Sequence, residues 1–203
     1  MTPTARAFVR AATLLATSLL LASPAGAHGN ANLGDLYQGM LQPLFHPEFL
    51  LAALAIALWS TQQEGRTAVA ICTGFMGGVL VGSAGALLGL GGGEMPWIPC
   101  LIMLVVGPLV AASVRVPAAA GATLGVVAGL AQGHAGTAAE VAQIGRPALW
   151  TLGLGIGAGL LGTYANAAVQ RVPAFWMQVA VRVLGSWITA IGLLVGVTAV
   201  RAR

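Results

Sequence analysis

An all-α polytopic membrane protein, with six transmembrane helices after an N-terminal signal peptide, is predicted by three observations. Hydrophobic residues fill 58% of the 203 positions while charged residues fill only 7%. Mean hydropathy is +0.89. Apolar runs near ~20 residues, the length that crosses ~30 Å of hydrocarbon at helical rise, recur along the whole chain.

Arg6 and Arg10 precede the run Ala11 to Leu21, which is short for a span and ends at Ser23-Pro24. Ala25-Gly26-Ala27 fits a small-x-small cleavage pattern, so residues 1–27 read as a secretory signal peptide and the mature chain starts at His28. An uncleaved anchor helix is the alternative.

Residues 28–203 form one transmembrane domain with six apolar segments. These are Phe49 to Ser60, Ala68 to Leu90, Met95 to Val114, Pro117 to Gln132, Ala148 to Gln170 and Ala174 to Val200. The first is the weakest, because Glu48 and Gln62 bracket it closely, so it must begin near His46 or be tilted and thin.

Export places His28 on the outer face, and six crossings return the C-terminus to that face. The loops at 91–94 and 133–146 are then outer, and those at 62–66, Arg115 and 171–173 cytoplasmic. Arg146, Arg201 and Arg203 run against the positive-inside rule, so the signal peptide decides the orientation. Asp35, His46, Glu48, Glu94, His134 and Glu140, joined by His28, then share one compartment, which is the layout of a cation-collecting mouth.

The net charge of +4 comes from arginine alone, since the chain has no lysine. Scattered at span ends, these residues form no nucleic-acid stripe and no anionic-lipid cluster, leaving the bilayer as the partner that composition requires. No Gly-x-x-x-x-Gly-Lys-Ser/Thr run exists, so no nucleotide drives the protein and energy must come from a gradient or a partner. Cys72 and Cys100 lie inside expected spans without CxxC spacing and read as small apolar filler.

Glycines recur at intervals of four: Gly74, Gly78 and Gly82; Gly121, Gly125, Gly129 and Gly133; and the interleaved pairs among Gly153, Gly155, Gly157 and Gly159. Each set lines one helix face and lets backbones approach closely, so the second, fourth and fifth spans are expected to form the tight centre. Packing alone or pliable gating both account for these faces, and a homo-oligomer remains open.

Six residues are candidate metal ligands. His46 and Glu48 flank Pro47, a helix-start arrangement that also presents an imidazole and a carboxylate. Glu94 follows Gly91-Gly92-Gly93 at the membrane edge. His134 opens a loop that ends in Glu140, so the two side chains could converge on one ion. Imidazole with oxygen donors suits nickel, cobalt, zinc or copper. A mature N-terminal His28 could chelate through its amine and ring, as a capture group. The bland readings are caps, interfacial residues and a disordered terminus. Arg182 lies inside the sixth span, with Asn166 and Tyr164 as plausible partners, and reads as a structural clamp.

Several stretches resemble the HupE/UreJ family. They are Ala27-His28-Gly29, the run from Gln42-Pro43-Leu44-Phe45-His46-Pro47-Glu48 through Leu58-Trp59, Gln132-Gly133-His134-Ala135, and Arg182-Val183-Leu184-Gly185 before Gly192. The resemblance covers most of the chain. It implies a bacterial inner-membrane protein of six spans after a signal peptide, a secondary nickel or cobalt permease rather than an enzyme. It also implies the hydrogenase or urease maturation machinery as partners and, in place of a permanently bound cofactor, a transported divalent metal.

The chain diverges at the family's metal motifs. Against His-Pro-x-x-x-x-Asp-His it places Gln42, Glu48 and Phe49 at the ligand positions, with His46 between them. Against Phe-His-Gly-x-Ala-His-Gly-x-Glu it has Gln132 and Gly136 at the framing histidines and His134 at a variable position, and Glu140 matches with one inserted residue. A glutamate of the third span is replaced by Pro99 or shifted to Glu94.

Two other function classes compete with a permease. One is an accessory subunit that docks through its glycine faces. The other is an intramembrane hydrolase with Ser83 as nucleophile and His134 as base, which lacks the Gly-x-Ser-Gly spacing of rhomboid-like proteases.

Overall fold

The computed structural model describes residues 34–170 and 174–201, so the expected signal peptide and His28 lie outside the described residues. The elements are α1 (Asp35–Phe45), α2 (Pro47–Thr61), α3 (Gly65–Leu87), α4 (Ile98–Ala111), α5 (Ala118–Ala138), α6 (Pro147–Gln170) and α7 (Ala174–Arg201), with a 3-10 turn at Val141–Gln143. No strand occurs among the described residues.

α3, α6 and α7 are long and apolar enough to cross a membrane. A fourth crossing is reached if α1 and α2 count as one broken span, bent by 84°. α4 is apolar but has only 14 residues, and in the 21-residue α5 glycine, Gln132 and His134 dilute the hydropathy. By length and hydropathy, therefore, three or four helices rather than six qualify as spans. The break between α1 and α2 has a local cause: Pro47 carries no N–H and forces His46, its predecessor, into an extended conformation at φ −123°, ψ 92°.

The segment that looked weakest in sequence is the most enclosed. Every residue of α2 from Ala55 to Ser60 is buried, with Trp59 fully so. α3, α4, α6 and α7 all pack against it. A helix surrounded by other helices needs no long lipid-facing surface, which is why a short apolar run suffices there.

Glycine seams set how the other helices pair. A Cβ at Gly78 would meet the Val126 carbonyl and one at Gly82 the Leu130 carbonyl, while one at Gly125 would meet the Ile71 carbonyl and one at Gly129 that of Phe75. The contacts advance in the same direction along both helices, so α3 and α5 run parallel, as two helices separated by one intervening antiparallel helix must. α6 divides its glycines between two neighbours. Gly153 and Gly157 receive Leu36 and Met40 of α1, and Gly155 and Gly159 receive Leu80 and Met76 of α3. The expected tight centre is therefore confined to the α3–α5 pair, with α2 beside it and one glycine set of α6 turned outward to α1.

Arg182 also departs from expectation. Its Nε donates to the Ala111 carbonyl at 2.9 Å, whereas Asn166 donates to Ser60 Oγ and the Gly162 carbonyl, and Tyr164 is exposed. A cation at the end of α4 meets carbonyls that lack helical partners, so the guanidinium fastens α7 to α4. Large apolar side chains on α7, among them Phe175, Trp176 and Trp187, are exposed, as a lipid-facing surface requires.

Gly78→Ala and Gly129→Ala should each destabilise the protein by about 1–3 kcal/mol, because the added methyl meets backbone that cannot yield. Gly77→Ala, with open space around it, should be neutral or stabilising by up to about 1 kcal/mol. Thermal unfolding in detergent reads both.

Candidate functional site

One end of the bundle collects most of the expected ligands. The loop after α3 bends through Gly89, Gly91 and Gly92, all at positive φ, and a Cβ at Gly91 would lie 3.2 Å from the His134 ring at the end of α5. Glycine is required there both for its conformation and for this approach. His46 meets Glu140 at the same end. The outer gaps read from the sequence therefore do lie together.

His46 is the centre of the cluster. Its Nε2 is 3.2 Å from Glu140 Oε1 and its Nδ1 is 3.6 Å from Glu48 Oε1. All three side chains are partly buried, with exposures of 33% for His46, 31% for Glu48 and 21% for Glu140. The ring also rests edge-on against Phe49, with centroids 5.9 Å apart. Pro47 starts α2 immediately after His46 and places Glu48 in the first turn, where a carboxylate is favoured. Glu48 foremost, with Glu140 adding to it, holds the His46 imidazole above its ordinary pKa, against partial burial that lowers it.

The two carboxylates approach opposite edges of one ring. That geometry is a carboxylate–imidazole–carboxylate bridge rather than three donors aimed at one point. Among the described residues no group of three or more His, Cys, Asp or Glu is arranged to hold a metal ion. The trio presents an imidazole whose two nitrogens are each engaged by a carboxylate.

The remaining candidates stand elsewhere. His134 does not meet Glu140; its Nε2 is buried without a hydrogen-bond partner. His134 stands two positions after Gln132, about 200° around the helix, so the two occupy opposite faces of α5. Glu94 is exposed in the loop after α3. Asp35 accepts from the backbone N–H groups of Gly145 and Arg146, the two residues just before α6, so it is a structural anchor for the loop that leads into that helix.

The α5 face that points to this cluster carries Gln132 and Gly136, and Glu140 follows in the turn just beyond the helix. Gln132 Nε2 donates to the Phe49 carbonyl at 3.0 Å, a Cβ at Gly136 would lie 2.9 Å from Gln42 Nε2, and Glu140 meets His46. Gln42 and Gln132 are buried, and reasoning on charged and imidazole side chains passed over them as site members. Their signal was the position each holds in the motifs quoted above, at ligand places without a ligand side chain.

Ser83, weighed as a nucleophile, has hydroxyl partners. Thr137 donates to it at 2.8 Å, Thr151 lies at 3.1 Å, and Trp150 Nε1 donates to Thr137. No imidazole is among these partners, and the buried network ties α3 to α5 and α6. Cys72 donates its S–H to Ser60 Oγ, and Cys100 is buried; both thiols are free.

Glu48→Gln and Glu140→Gln should each lower the pKa of His46 towards its ordinary value, since each removes a carboxylate that favours the protonated ring. Imidazole C–H resonances followed against pH measure this, and an unmoved titration would contradict the bridge.

The family model described as HupE / UreJ protein matches residues 15–195. A relative, Protein HupE of Rhizobium leguminosarum bv. viciae, is 31% identical over 125 residues, which cover 58% of this chain and 63% of that protein. The match thus spans under two thirds of the relative's length. No solved structure matches. With a family match over nearly the whole chain, and an all-helical bundle whose apolar helices reach membrane-spanning length, the chain belongs to the HupE / UreJ family.

Proposed function

We propose that the protein is a secondary permease for a divalent transition-metal cation, nickel or cobalt, that collects the ion at the end of the bundle formed by His46, Glu48 and Glu140. The observation that carries this reading is the bridge at that end, an imidazole held between two carboxylates. Imidazole and carboxylate together suit borderline divalent ions, and two negative groups at a mouth raise local cation concentration. Membership of a family whose curated relative is named HupE supports it.

In this reading the chain makes six crossings after a cleaved signal peptide, in a bacterial inner membrane, with the mature N-terminus and the mouth in the periplasm. α4 crosses despite its length because it lies against α2 and α7 rather than in lipid alone. Glu94 and His134 add an outer field and a secondary ligand, and His28 captures the ion. The protein acts as a carrier and not as an enzyme, delivering metal to hydrogenase or urease maturation.

A second reading is supported by a separate observation: the described residues offer no ready cluster for a metal. A non-transporting accessory membrane subunit would need none.

Uptake of radiolabelled nickel and cobalt into cells lacking their own nickel and cobalt transport separates the two readings. His46→Ala and Glu140→Gln should each reduce uptake by about tenfold or more, with the protein still inserted. Wild-type protein that inserts and accumulates neither metal would leave the accessory subunit standing.

A further inference from the structure

The end of the bundle opposite His46 holds a cavity of about 570 Å³, where α2, α4 and α6 finish and α7 begins. The far end of the 15-residue α2 lines one side, roughly 22 Å along that helix from the mouth. Two arginines that stand far apart in the sequence, Arg115 just after α4 and Arg182 on α7, both line it. One carboxylate accompanies them. Glu64 is engaged by Arg115, whereas Arg182 meets no carboxylate among the described residues.

Arg182 gives its Nε to the Ala111 carbonyl at 2.9 Å, which leaves the two terminal nitrogens of an exposed guanidinium to be matched from outside the chain. Depth decides what can match them. α7, with 28 residues, is roughly 42 Å long and outruns ~30 Å of hydrocarbon, so Arg182, roughly 12 Å from its first residue, lies near the edge where lipid phosphates stand. The cavity is also amphipathic. Gln178, one turn before Arg182 on the same face of α7, adds an exposed amide, while Val169, Met177 and Val181 supply an apolar wall. A free phosphate would use only the cationic part, whereas a phospholipid uses both.

We propose that this cavity binds the headgroup of an anionic glycerophospholipid. The phosphodiester accepts from Arg182 and Arg115, and an acyl chain lies along Val169, Met177 and Val181. Two guanidiniums against one carboxylate leave a net positive charge, so the cavity prefers a headgroup of net negative charge, phosphatidylglycerol, to zwitterionic phosphatidylcholine. The arginines scattered along the sequence show no lipid cluster, because these two meet only when α4 packs on α7. The site is separate from the mouth and does not rest on the permease reading.

Short-chain phosphatidylglycerol, short-chain phosphatidylcholine and inorganic phosphate, each titrated by calorimetry into the purified full chain in uncharged detergent, test the proposal. Phosphatidylglycerol should bind about fivefold or more tightly than phosphatidylcholine, and the preference should shrink as salt rises. Arg182→Gln should abolish that preference, and Arg182→Lys should keep part of it. Gln178→Glu, near-isosteric and exposed, should weaken phosphatidylglycerol binding about fivefold or more, and Gln178→Lys should strengthen it by a similar factor, so the result does not hang on a variant that unfolds. Inorganic phosphate that binds as tightly as phosphatidylglycerol and displaces it overturns the lipid as the ligand and leaves a free-anion site. Equal affinity for the two lipids, or a phosphatidylglycerol affinity that stays within about twofold in both Gln178 variants, overturns the site itself.

Discussion

When two parallel helices touch through glycine, their backbones come close enough that neither can rotate without driving a side chain into a carbonyl. α3 and α5 are held in this way along Gly74, Gly78 and Gly82 on one side and Gly121, Gly125, Gly129 and Gly133 on the other. Once the glycine line of α5 is committed to α3, the faces about 100° to either side are committed too. Gln132 and Gly136 turn towards α1 and α2, and His134 turns the other way, beneath Gly91. Which side chains gather at this end of the bundle is thus a consequence of a packing seam made of glycine.

The second constraint is Pro47. By holding His46 extended and opening α2 directly after it, proline turns the chain by 84° and sets an imidazole at the corner. Glu48 follows in the first turn, and Glu140 reaches the ring from the end of α5. Asp35 makes the corner firm from the far side by holding the backbone N–H groups just before α6, while Gly153 and Gly157 of α6 receive Leu36 and Met40. The acidic residues of this end therefore divide their labour. Glu48 and Glu140 address the imidazole, Asp35 addresses backbone, and Glu94 addresses solvent.

Membrane character was legible because it is a sum over residues and does not depend on which neighbour each one meets. His46, Glu48 and Glu140 were expected at one end from the order of apolar segments and gaps, and the structure gathers them there. Their pairing was not expected, and the convergence drawn between His134 and Glu140 followed sequence distance where rotation about α5 governs. Gln42 and Gln132 escaped because neutral amides carry no charge signal. Their burial and their unmet hydrogen bonds exist only once α1, α2 and α5 are packed.

By itself the sequence determined an apolar all-helical protein, the glycine faces on which its helices close, and the helix start at Pro47 with His46 before it and Glu48 after it. Each of these is local, written in composition or in spacing along one helix. Only the tertiary structure decided that α2 is enclosed by α3, α4, α6 and α7, that α6 shares its glycines between α1 and α3, and that Glu140 turns to His46. Those outcomes depend on the rotation of each helix against its neighbours, and rotation is fixed by contacts between residues far apart in the chain.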